Sequence, residues 1–61
     1  MNKRYSTSRI TASRVVVGTV LYHGGSVVSV SREGDGTVII TTNHGAMAYA
    51  PSTRLTYYPY L

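Results

Sequence analysis

SVVSVSREGDGTVIITTN, residues 26–43, is two β-branched runs joined by a glycine-bearing turn. In residues 26–32 (SVVSVSR) the alternation puts Val28 and Val30 on one face and Ser29 and Ser31 on the other, as in a half-buried strand. Glu33-Gly34-Asp35-Gly36 closes the pair. An Asp-Gly step between alternating apolar runs is the strongest short-range signal for a β-hairpin. Residues 37–43 (TVIITTN) return as the partner strand, so the centre of the chain is antiparallel β.

The same grammar extends outward. Residues 14–22 read as one long strand, with Gly18 marking a bulge or sharp bend inside it. His23-Gly24-Gly25 turns the chain toward the central hairpin. On the far side, His44-Gly45 is a turn and residues 46–50 (AMAYA) a fourth, short strand. Residues 51–54 (PSTR) are too short for an α-helix and suit one turn of 3-10 helix. Residues 55–61 close the chain as a fifth strand, which Pro59 confines to a sheet edge or a strand end. Ahead of all this, residues 1–13 hold only Met1, Tyr5 and Ile10 as large apolar side chains. They are expected to be a solvated, flexible arm. The expected division is therefore a basic arm over residues 1–13 and a β-domain over residues 14–61.

Charge follows the same division. The 61-residue chain carries a formal net charge of +4. Lys3, Arg4, Arg9 and Arg14 supply it, while Arg32 and Arg54 balance Glu33 and Asp35 in the rest. A cationic arm of this kind is drawn to phosphate or to an acidic protein face. The chain has no cysteine, which excludes disulfides and cysteine zinc sites and fits a reducing compartment. No apolar run approaches the roughly 20 residues needed to span a bilayer. The expected location is cytoplasmic, with no membrane partner.

Strand parity places Val17, Val20, Leu21, Val28, Val30, Val38, Ile40, Ala48 and Leu55 inside. Val15, Val16, Val27, Ile39 and Met47 are left over, on faces that an arm, a second copy or a partner would have to cover.

Five short strands, tight central hairpins and a helical turn before the last strand form an order that resembles the SH3-like small barrel, including its KOW and Tudor relatives. Gly18, the Asp35-Gly36 hairpin and residues 51–54 carry the resemblance, which extends over residues 14–61. It implies an all-β, five-stranded SH3-like barrel and leaves the function open. The peptide-binding SH3 set is absent, since the chain has no tryptophan.

Chemistry is sparse. The two carboxylates share one exposed turn, which suits turn formation better than acid–base catalysis. His23 and His44 each precede a glycine and can meet at one end of a barrel, but two histidines without a third ligand do not make a metal site. Gly24-Gly25-Ser26 offers a weak backbone nest for phosphate. No nucleophile elbow occurs. The reading is therefore non-enzymatic, without cofactor or metal.

Tyrosine is more informative. All six aromatics are tyrosine, a residue favoured at interfaces because it gives large contact area and keeps its hydroxyl wet. Parity sends Tyr57 inward with Leu55 and Tyr58 and Tyr60 outward, with Tyr22 and Tyr49 as further exposed candidates. The function expected is nucleic-acid binding, RNA or DNA, by a tyrosine-bearing barrel with a cationic arm. The candidate residues are Lys3, Arg4, Arg9, Arg14, Arg32, Arg54, Tyr22, Tyr49, Tyr58 and Tyr60. The alternative is a protein-binding accessory or inhibitor module, of the kind phages direct at an acidic host protein, that docks through a tyrosine-rich edge strand or self-associates.

Overall fold

The computed structural model describes residues 6–59. Six strands form one antiparallel sheet that curls into a half-barrel: β1 (Ser8–Thr11), β2 (Val20–Leu21), β3 (Gly25–Arg32), β4 (Val38–Thr42), β5 (Gly45–Tyr49) and β6 (Arg54–Tyr58). A 3-10 turn, Ala12–Arg14, follows β1. The spatial order is β1-β6-β2-β3-β4-β5.

The central hairpin forms where the sequence puts it. Gly36 N–H donates to the Glu33 carbonyl (3.0 Å) and Glu33 N–H to the Thr37 carbonyl (2.8 Å). Gly36 has φ +96°, a conformation open to glycine because it lacks a Cβ. Asp35 Oδ1 accepts from the Thr37 N–H at 2.9 Å. That bond, with a second from the Thr37 hydroxyl, holds the Asp35 carboxyl below its ordinary pKa, outweighing a small desolvation effect.

Several expectations fail. The strand count is six, because Ser8–Thr11 pairs with β6 in the register Ser8↔Tyr57, Arg9↔Thr56, Ile10↔Leu55 and Thr11↔Arg54. The basic segment is therefore partly sheet, and the boundary at residue 13 cuts through packed structure. Ala12 is wholly buried, and its N–H donates to the Thr53 carbonyl at 2.8 Å. Lys3 and Arg4 lie outside the described residues.

The 3-10 turn also sits at Ala12–Arg14 rather than before the last strand. At residues 50–53 the chain makes a tight turn, with Thr53 N–H donating to the Ala50 carbonyl at 3.0 Å. The single strand expected over residues 14–22 is broken: Gly18, at φ +99°, turns the chain, and only Val20–Leu21 pairs as β2.

The core differs most. Val27 and Val30 both pack toward the interior although they are three residues apart, because the β3–β4 register slips between Val27 and Ser29. The extra residue of such a bulge, Val28, is turned outward, and it is 56% exposed. The bulge lies opposite the segment around Gly18, whose N–H donates to the Val27 carbonyl (2.9 Å), while Val27 N–H donates to the Thr19 carbonyl (2.8 Å). The buried set is Ala12, Val15, Leu21, Val27, Val38 and Ile40, with Ile10, Val30, Tyr49, Leu55 and Tyr57 packed against it. Val15 and Val27, read as surplus, are thus core; Val17 and Ala48, read as core, are exposed.

Candidate functional site

Antiparallel partners that face each other across a ladder share a sheet face, and diagonal neighbours come within reach of long side chains. In the β1–β6 register, Arg9 opposes Thr56 and Thr11 opposes Arg54. Arg54, Thr56 and Tyr58 alternate along β6, so Arg9 lies diagonal to Arg54 on one side and to Tyr58 on the other. Beside Tyr58, the Tyr22 ring stands 5.7 Å away, centroid to centroid, and itself meets His23 edge-on at 4.2 Å. Tyr22 N–H donates to the Thr56 carbonyl at 2.9 Å, which anchors that end of the row to β6.

Arg14 joins this row from the 3-10 turn. With Arg9, Ile10, Thr11, Arg54 and Tyr57 it lines an open cavity of about 510 Å³ at the β1–β6 edge. Its position is set by backbone bonds: Ala12 and Ser13 donate to the carbonyls of Thr53 and Pro51, binding the turn to the approach of β6. Glu33 and Asp35, the chain's two acidic residues, occupy the β3–β4 turn and do not line the cavity. Three guanidinium groups around a cleft that no carboxylate among the described residues lines create a local positive potential. Their planar forks suit phosphate and carboxylate oxygens.

Of the residues singled out from sequence, Arg9, Arg14, Arg54, Tyr58 and Tyr22 are thus gathered on one side of the sheet. Arg32 is not among them. Its Nη2 donates to the Ser13 carbonyl at 2.7 Å, which joins the end of β3 to the 3-10 turn. Tyr49 is half-buried against the core and lines a second concavity, to which Tyr22 and Arg54 also contribute. Tyr60 lies outside the described residues. Tyr57 was missed as a cleft residue; its inward parity with Leu55 is right, but its place beside β1 also puts it at the arginines. No local signal reveals that, because the β1–β6 pairing joins opposite ends of the chain.

The second concavity, about 440 Å³, is the open mouth of the half-barrel, and its lining includes Leu21, Ile40, Met47, Tyr49 and Leu55, with His23 and His44 at its rim. The two turn histidines do share one end of the sheet. Among the described residues no three groups of metal-ligating type cluster. The glycine nest is already engaged, since Ser26 N–H donates to Asn43 Oδ1 at 3.1 Å. The tyrosine-rich final strand is no edge: β6 is flanked by β1 and β2. No helix among the described residues is long and apolar enough to cross a membrane.

No protein family, curated protein or solved structure matches the chain.

Proposed function

We propose that the protein is a non-enzymatic nucleic-acid-binding module that grips phosphates with Arg9, Arg14 and Arg54. The observation that carries this reading is the convergence of Arg9 and Arg14 with Arg54, forty residues further along the chain, around one open cleft that no carboxylate among the described residues lines. The Tyr58–Tyr22 pair continues the same side of the sheet and offers rings for base stacking, an interaction of about 1–3 kcal/mol per base. Setting β1 aside, five strands with tight central hairpins support the likeness to a small barrel, although the 3-10 turn lies at Ala12–Arg14 and not before the last strand. On this reading β1 is an N-terminal addition that brings Arg9 to the site.

The test is fluorescence anisotropy of labelled single-stranded and duplex oligonucleotides at about 50 and 200 mM salt. The wild-type chain should bind with a steep salt dependence. Arg9→Gln, Arg14→Gln and Arg54→Gln combined should flatten the log–log slope by about 2 on single strands, given roughly 0.7 per phosphate neutralised. Arg32→Gln, which removes one charge away from the cleft, should leave the slope within about 0.5 of wild type. Absence of wild-type binding, or a triple variant indistinguishable from it, rejects the proposal and turns attention to an acidic protein surface.

A further inference from the structure

We infer that two copies of this chain associate through their β5 strands, each extending the other's sheet across a two-fold axis at Met47. Among the described residues β5 is hydrogen-bonded on one side only, to β4, and ends the sheet. Edge strands in soluble monomers are commonly blunted by a lysine, a proline, an inward charge or a bulge. The β5 sequence Gly-Ala-Met-Ala-Tyr has none of these, its first four residues are exposed, and the ladder to β4 is regular throughout.

The occupant follows from side-chain size and from charge. The β4–β5 register places Gly45, Met47 and Tyr49 on the face of Thr42, Ile40 and Val38, and Ala46 and Ala48 on the other. An antiparallel partner with the same five residues, centred at Met47, sets Met47 against its own copy and the Tyr49 ring over the bare Gly45 of the second copy. An aromatic side chain laid across a strand glycine in this way covers the exposed backbone. On the opposite face, alanine meets alanine. The large residue of each strand therefore meets the small one of its mate.

Charge selects the same edge. Each molecule carries +4, and like charges oppose self-association unless they are kept apart. Arg9 lies on β1 and Arg54 on β6, whereas β5 itself carries no charge. A β5-to-β5 approach leaves the β1–β6 ladder, which carries Arg9, farthest from the junction in strand order, although Arg54 also lines the concavity of Met47 and Tyr49. It also covers Met47, 60% exposed although it faces the buried Ile40. Six buried residues among those described, none larger than isoleucine, are a thin core for a chain without cysteine, and small scaffolds of this kind are stabilised by association.

The inference is independent of nucleic-acid binding and is tested without nucleic acid. Light scattering of the full chain from about 5 to 500 µM should show the mass rise from 6.6 kDa toward twice that value. Met47→Lys sets two ammonium groups against each other on the axis and should weaken association by roughly tenfold or more. Because the native chain lacks cysteine, Met47→Cys gives a cleaner readout. Directly opposed strand residues lie about 4.5–5.5 Å apart at Cα, within disulfide range, so mild oxidation should produce a covalent dimer. Ser8→Cys, on the opposite edge strand β1, should stay largely monomeric under the same conditions. A wild-type mass fixed at the monomer value over the whole range, or Ser8→Cys linking as readily as Met47→Cys, overturns the inference.

Discussion

Asp35 shows how one side chain can both set a turn and tune the protein's response to pH. Its carboxylate accepts from the Thr37 N–H and hydroxyl, so its folded pKa lies below the ordinary 3.8. A carboxyl with a depressed folded pKa adds stability above the unfolded value, and that contribution is lost as pH falls through the folded one. Asp35→Asn should therefore melt slightly below wild type at neutral pH, and the difference should shrink below the usual carboxylate range. Thermal denaturation followed by circular dichroism at a series of pH values checks this; a constant difference down to pH about 2 contradicts it. Gly25 is constrained more tightly. At φ +83°, a Cβ there would collide with Asn43 Oδ1 and reach His44 Cδ2 at 2.7 Å, so this turn requires glycine for space as well as for conformation.

Among the elements, the β3 bulge decides which valine does the packing. Val27, 2% exposed, is core, and Val28, the next residue, is at the surface. Val27→Ala should cost about 2 kcal/mol, from roughly 0.8 kcal/mol per buried carbon plus the cavity left behind. Val28→Ala should remain within about 0.5 kcal/mol of wild type. Urea denaturation of both variants distinguishes this arrangement from regular alternation, which predicts the reverse ranking. Sequence alone favours that reverse ranking, because SVVSVSR alternates from Val28 to Val30 and nothing within it marks a slip. The bulge is set by the segment around Gly18, which takes up both backbone groups of Val27.

For the whole molecule, the first strand and the last turn are joined across the length of the chain. A chain beginning at Ser13 loses β1, the buried Ala12 and its bond to Thr53. It should lose cooperative thermal unfolding, since the domain has few buried residues and marginal stability is the rule at this size. A melt matching that of the full chain would show residues 8–12 to be dispensable. The arginine cleft depends on the same pairing. Arg9 and Arg54 read in sequence as members of an arm and of a neutral body, and the β1–β6 register alone makes them neighbours.

What the sequence determined by itself was local: the all-β character, the Glu33–Gly36 hairpin, the turns at glycine, and a positive charge concentrated toward the N-terminus. These follow from backbone preferences and formal charges that need no distant partner. Tertiary structure decided the sixth strand, the outward turn of Val28, the gathering of Arg9, Arg14 and Arg54, and the exposure of β5 at the sheet's end. Each of these depends on which strand hydrogen-bonds to which and in what register. Residues far apart in the chain settle that by burying side chains together, and local spacing carries no record of it.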